Sequence, residues 1–398
     1  MNRGENSDSI PNDLILDILS RLPAKSIQRF RCVSKLWKSM LSQSYFTELF
    51  LNKSSSRPRL LFVGKQDSDW LFFSLPQPQN LDEKSSLVVA ADCHMKFSKD
   101  INPYCCTYAS GLIYFHNMDK DAIGMICNPS TGQYAILPLP ERRTHIYLYS
   151  YLGFDPIDKE FKVLLMNTSK RIASSDIDHY ILTLGTGKLR WRKIQCPFTH
   201  MPFWNRICIN GVLYYLAHSE RRSYVVVCFD VRTEKFKLVE AEYRWGCSIY
   251  GLINYKGKLC VVNLKYASDG GFPLELRMWV LEDAEKEEWT SYAYTLRDDN
   301  KVFKVNYNLF VAGVTASGEI IVLVNHNTSK PLYVFYFNPK RNTLQSVEIQ
   351  FFGANGEAFK TSFLVNAFID HVEDLKFDIK TTTYAAYLEE DHRTFEMR

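Results

Sequence analysis

The chain has 398 residues, 46% of them hydrophobic and 23% charged, with 48 Lys and Arg against 44 Asp and Glu. A net charge of +4 gives no concentrated basic face, which argues against nucleic acid or an anionic membrane as the partner. No run of about 18 apolar residues is present to cross a bilayer.

Residues 1–8 (MNRGENSD) lack the apolar core of a secretory signal. None of the ten cysteines forms a C-x-x-C pair, so neither a zinc ribbon nor a redox motif is expected. These features predict a chain of the cytoplasm or nucleus, in which the sequons at Asn52, Asn167 and Asn327 carry no sugar.

The first predicted elements are short helices. Pro11, Asn12 and Asp13 make a helix start, with an acid where the dipole favours it. Leu14, Ile15, Ile18, Leu19 and Leu22 then form one broad apolar face, and Pro23 stops the helix. Ser26 is expected to cap a second helix carrying Ile27, Phe30 and Val33. Ser34 is expected to cap a third, with Leu36, Trp37, Met40 and Leu41 on one side. Phe46, Leu49 and Phe50 follow, and residues 51–57 read as a polar linker. Units below about 40 residues rarely hold together without disulfide, metal or partner. A dozen large apolar side chains in so short a stretch therefore pack against the following domain or face another protein. Periodicity alone leaves both open.

Residues 8–50 resemble the F-box, the module that docks a Skp-type adaptor in cullin–RING ubiquitin ligases. The resemblance rests on Ile10-Pro11, Asp13, Leu14, Ile15, Ile18-Leu19, Arg21, Leu22-Pro23, Arg29, Val33-Ser34-Lys35 and Trp37, with Ile10 standing where the family usually has Leu. It implies that Ile10, Pro11, Leu14, Ile15, Leu19, Leu22, Pro23 and Val33 face the adaptor. Trp37 and Met40 are then at least partly internal.

Residues 58–375 read as short strands separated by recurrent turns. Turns at Asn128–Gly132 (NPSTG), Leu184–Gly187 (LGTG), Asp230–Glu234 (DVRTE), Glu282–Lys286 (EDAEK) and Asn338–Asn342 (NPKRN) each precede a strand. Taken at positions 128, 185, 230, 283 and 338, they are 57, 45, 53 and 55 residues apart. Asn or Asp opens such a turn by bonding its own backbone, and Gly or Asn suits a positive φ; Glu234 does not fit. Small turns also precede apolar strands at Ser110-Gly111, Asn210-Gly211, Lys256-Gly257 and Ser317-Gly318. Units of about 50 residues are the size of propeller blades, and 318 residues hold about six. Residues 363–370 (FLVNAFID) and 59–63 (RLLFV) are the candidates for a seam that closes the ring; an irregular pair of β-sandwiches is the alternative. The whole is thus a two-domain α+β chain, helical module first and all-β body second.

The body is also similar to the F-box-associated domain of plant F-box proteins. Cys127–Gly132 (CNPSTG), Leu152–Leu164 (LGFDPIDKEFKVL), Asn210–Ala217 (NGVLYYLA) and Val226–Val231 (VVCFDV) carry that likeness.

Chemistry is not legible. Gly185–Lys188 is only a fragment of a phosphate loop. The nine histidines form no i, i+4 pair for a metal, no Gly-x-Ser-x-Gly elbow exists, and Asp155 with Asp158 reads as a turn around Pro156. No cofactor or metal is expected. Trp70, Phe203, Trp204, Arg206, Tyr243, Arg244 and Trp245 are the residue types of binding hot spots, although packing between blades is the more expected role for most of these aromatics. Residues 376–398 read as a charged tail.

The resemblance implies the substrate-recognition subunit of a Skp–cullin–F-box ligase, linked through the adaptor to cullin and RING subunits and holding an unknown target protein. It performs no chemistry itself. An adaptor-bound scaffold that does not lead to degradation and a glycan- or small-molecule-binding propeller are the other readings.

Overall fold

A computed structural model describes residues 10–66, 69–77, 87–98, 106–116, 122–140, 147–168, 177–185, 189–221, 223–240, 251–265, 273–297, 309–324, 332–351 and 364–375. Four helices come first: α1 (Asn12–Leu19), α2 (Ala24–Arg31), α3 (Lys35–Leu41) and α4 (Ser44–Ser55). The Pro11 carbonyl accepts from the Leu14 and Ile15 amides and so nucleates α1. The expected cap at Ser26 is displaced: Pro23 flanks α2, its carbonyl accepting from the Ser26 and Ile27 amides. Proline is favoured at a helix start because the amide it lacks would be unpaired there anyway. Ser34 does cap α3, its Oγ accepting from the Trp37 amide at 3.2 Å. The expected linker is mostly helix: α4 runs on to Ser55, and Lys53 reaches Asp17 of α1 at 3.5 Å.

The all-β body is a six-bladed propeller. Blade 1 holds β1 (Arg59–Gln66), β2 (Asp69–Pro76) and β3 (Leu87–Ser98); blade 2 holds β4 (Cys106–Ala109), β5 (Leu112–His116), β6 (Ala122–Asn128) and β7 (Gln133–Pro138). Blade 3 is β8 (Tyr147–Asp155), β9 (Glu160–Thr168), β10 (Ile177–Thr183) and β11 (Arg192–Ile194). Blade 4 is β12 (His200–Ile209), β13 (Val212–Ser219), β14 (Tyr224–Asp230) and β15 (Phe236–Glu240). Blade 5 is β16 (Gly251–Tyr255), β17 (Lys258–Lys265), β18 (Leu274–Asp283) and β19 (Glu288–Leu296). Blade 6 is β20 (Leu309–Val314), β21 (Ile320–Val324), β22 (Leu332–Asn338) and β23 (Thr343–Phe351). The last strand, β24 (Leu364–His371), returns to blade 1 and pairs antiparallel with β1, so the ring closes at the seam read from the sequence.

The repeated turn is the hairpin between the third and fourth strands of a blade. Its opening side chain holds the loop: Asn128 Oδ1 accepts from the Ser130 amide at 2.9 Å, Asp230 Oδ1 from Thr233 at 2.6 Å and Asp283 Oδ1 from Glu285 at 2.7 Å. The fifth residue lies in the left-handed region in each, at φ 72° for Gly132, 59° for Glu234, 56° for Glu287 and 55° for Asn342. Glu234, the exception in the sequence, is held by its carboxylate, which receives Lys162 at 2.8 Å and also pairs with Arg192. Those partners tie blade 4 to blade 3. The Ser110-Gly111, Asn210-Gly211 and Lys256-Gly257 turns place two successive residues at positive φ, the two-residue hairpin that matches strand twist.

Six apolar cores, one between each pair of neighbouring blades, account for strands buried on both faces. β3 joins two blades. Its later half pairs with β2, while residues 87–91 run parallel to β23 from Val347 to Phe351. The outer edges of blades 1 and 6 thereby cover one another, which removes exposed strand edges open to aggregation.

A seventh core belongs to the helices. Leu16, Leu19, Ala24, Ile27, Leu41, Phe46 and Phe50 are buried together, and Leu375 from the end of the propeller joins them. The segment after β24 is the mortar of this junction. Glu373 lies with both carboxylate oxygens 3.4 Å from the Ala24 amide, at the start of α2, and its own amide donates to Ser54 Oγ at 2.9 Å. On the other side Asn128 Nδ2 donates to the Asp374 carbonyl at 3.0 Å.

Candidate functional site

The helical module sorts its apolar residues in two. One set fills its core; the other faces out. Ile10, Leu14 and Ile18 are 56–57% exposed, Val33 is 65% exposed and Leu36 is 74% exposed, whereas Leu19 is 5% exposed. Leu14 and Ile18 sit four residues apart on one face of α1, and Ile10 lies just before the helix, ahead of Pro11. Of the residues expected to face an adaptor, Ile10, Pro11, Leu14, Pro23 and Val33 are exposed, and Ile15 and Leu22 are partly buried against the helical core. Leu19 is turned inward and cannot serve; Ile18, one residue away, takes the outward position. Leu36 also belongs to this surface. Both were present in the apolar pattern, and only the shared core of the four helices shows which side each takes. Trp37 and Met40 pack against the core, with the Trp37 ring stacked 5.3 Å from Phe30.

Polar contacts fix this frame. Arg21 Nη2 meets Asp17 Oδ2 at 2.7 Å one turn away, and that bond holds the Asp17 carboxyl below its ordinary pKa. Arg31 donates to the Leu41 carbonyl at 2.7 Å, locking α2 to the end of α3.

On the propeller, among the described residues, Trp70 lies apart from Phe203 and Arg206. Trp70 is fully buried between blades 1 and 2, its ring 4.7 Å from Phe115 and stacked on Phe97. Its role is packing, because a large ring on a central strand fills the inter-blade space. Phe203 is half-buried and packs edge-on against His218 at 4.6 Å. Arg206 lies 5.1 Å over the ring of Tyr151, and Tyr151 Oη donates to the Phe203 carbonyl. Burial and then the charge of Arg206 hold His116 well below the usual imidazole range. Burial lifts the Tyr114 and Tyr151 hydroxyls above theirs. Tyr243, Arg244 and Trp245 lie outside the described residues, as does the side chain of Trp204. The tail at 376–398 lies outside them too.

A further cluster escaped the sequence patterns. A pocket of about 320 Å³ between blades 3 and 4 is lined by His179, Lys193, Cys196, Phe198 and His200 among others. The donor atoms of His179, Cys196 and His200 all lie within 4.8 Å of one another. Burial pushes the imidazoles down to about 4 and about 3 and lifts the Cys196 thiol to about 11. The local signal was Cys196-x-x-x-His200, a mixed spacing that a search for His pairs or Cys pairs passes over.

The chain matches the F-box domain family over residues 7–49 and the F-box associated beta propeller domain family over residues 59–372. It is 56% identical over 397 residues to a putative F-box protein of Arabidopsis thaliana, covering 97% of this chain and 98% of the relative. It is 54% identical over 374 residues to F-box only protein 12 of the same plant, covering 92% and 82%. TolB from Acinetobacter baumannii aligns at 10% identity with a TM-score of 0.41 over 77% of this chain and 66% of its own; so distant a likeness says nothing of function. The chain belongs to the F-box proteins that carry an F-box associated β-propeller. Among the described residues, no helix is long and apolar enough to cross a membrane.

Proposed function

We propose that this chain is the substrate-recognition subunit of a Skp–cullin–F-box ubiquitin ligase, acting in the cytoplasm or nucleus. The observation that carries this reading is the stripe of Ile10, Leu14, Ile18, Val33 and Leu36, exposed while a separate set of residues completes the helical core. A surface helix normally buries its apolar stripe, and the propeller closes its own cores without using this one. The stripe receives the Skp-type adaptor, and cullin and RING subunits follow through it. The propeller holds a target protein so that a lysine meets the charged conjugating enzyme, a gain from proximity rather than chemistry done by this chain.

Co-purification of the full-length protein with a plant Skp-type adaptor tests the reading. Replacing Leu14 and Leu36 together by Ala is expected to weaken adaptor retention at least tenfold with little change in stability, since both side chains are already in water. Retention equal to wild type overturns it. With adaptor binding in hand, co-purified partners that do not rise on proteasome inhibition would favour the scaffold reading over the ligase.

A further inference from the structure

His179, Cys196 and His200 come from three successive parts of the chain: the middle of β10, the crossover between β11 and β12, and the first residue of β12. The register of β10 on β11 sets His179 opposite Ile194, so the crossover starts beside the ring it must meet.

A hydrogen bond fixes which nitrogen of His179 is available. His179 Nδ1 lies 3.1 Å from the Ile177 carbonyl oxygen. A carbonyl only accepts, so Nδ1 carries the proton and Nε2 carries the lone pair. That Nε2 is buried without a hydrogen-bond partner, on a residue only 4% exposed. A buried acceptor left unmet is costly, so the site favours a partner there. His200 Nε2 is 2.7 Å from Tyr215 Oη, which leaves Nδ1 facing Cys196 Sγ at 3.8 Å. His179 is thus held through Nδ1 with Nε2 left unbonded, and Tyr215 holds His200 at Nε2, the arrangement by which outer hydrogen bonds orient metal-binding histidines.

We propose that His179 Nε2, Cys196 Sγ and His200 Nδ1 form a zinc(II) site that ties blade 3 to blade 4, with a solvent molecule of the adjoining pocket as fourth ligand. Zinc bonds of about 2.3 Å to sulfur and about 2.0–2.1 Å to nitrogen set tetrahedral donors about 3.4–3.6 Å apart. The Cys196–His200 pair is nearly at that spacing, and one donor atom from each of the three residues lies within 4.8 Å of the other two, so the side chains close onto the ion by about an ångström. Binding replaces the proton on Cys196 Sγ by the metal. The hydrogen bond from that thiol to the Phe198 carbonyl at 3.2 Å is then given up, and the proton passes to solvent. A nucleophilic cysteine is the competing use of these residues. The thiol is unsuited to it, because it donates to a carbonyl and burial keeps it protonated.

Purified full-length protein equilibrated with zinc sulfate and freed of excess is expected to retain one zinc per chain by elemental mass spectrometry. Cobalt(II) in its place is expected to show a sulfur-to-cobalt absorption that vanishes in Cys196→Ser. Cys196→Ser and His179→Gln are each expected to weaken zinc more than tenfold with an unchanged circular dichroism spectrum, and Tyr215→Phe by about tenfold. A chain that holds no stoichiometric zinc, or a Cys196→Ser variant that holds it as tightly as wild type, overturns the site. Should the histidine variant fail to fold, wild-type protein still decides. Zinc must slow alkylation of Cys196, read by peptide mass, at least tenfold; equal rates overturn the proposal.

Discussion

The helical module and the propeller solve the same problem in opposite ways. Each propeller blade is an apolar sheet that cannot cover itself, and every one finds a neighbour until β24 meets β1 and no unpaired face remains among the described blades. The F-box has a core of its own, yet keeps Leu14, Ile18 and Leu36 in water. The difference shows that an exposed apolar residue is informative only beside a region that has buried the rest. In a chain with loose blades the same stripe would be one gap among several.

The comparison can be broken at the propeller first. Trp70→Ala removes a fully buried ring and is expected to cost about 3–5 kcal/mol. Unfolding by urea should show helices and sheet lost together, and an F-box that outlives the propeller would make the two regions independent. Glu234→Gln is next. It leaves the Lys162 ammonium, 9% exposed, without its carboxylate, for which a loss of about 3 kcal/mol is expected by the same measurement.

Acid sharpens the contrast further. His116, His179 and His200 are held neutral by burial, the last two down to about 4 and about 3. Their folded values lie below the unfolded one near 6.5, so the unfolded chain takes up protons first as pH falls. Stability is then full above about 6.5 and declines below it, each group removing up to about 1.4 kcal/mol per pH unit. Thermal melts between pH 7 and pH 5 should show this slope reduced in His116→Gln. None of these histidines lies in the F-box.

The smallest effect is at the junction. Glu373→Ala takes the carboxylate from the start of α2 and is expected to cost about 1 kcal/mol, with adaptor retention unchanged. A loss of retention as well would mean that the stripe depends on how the module is seated.

The sequence carried much of this because its strongest signals are local. The Asn128, Asp230, Asp283 and Asn338 turns are made by side chains bonding residues two or three positions on, so their spacing marked the blades, and closure of such a ring pointed to the seam. Glu234 read as a misfit because its reason lies on β9 and β11. What stayed hidden was which way a side chain faces once distant elements meet. Leu19 and Ile18 are interchangeable to periodicity, and the core shared by the four helices decides between them. Trp70 has the chemistry of a hot spot and the position of a core residue. His179 joins Cys196 and His200 only through the pairing of β10 with β11.

One joint has a consequence for how the protein is made. Ala24 and Glu373 are 349 positions apart, and Leu375 enters the helical core from the same short segment. A ribosome working at about 5–20 residues per second delivers that segment roughly 17–70 s after the helices it completes. The helices are therefore synthesised first and finished last, on the same few residues whose arrival seals the ring. A chain cut short before this segment lacks both the clasp of the propeller and the final piece of its helical core, so neither region is finished without the other.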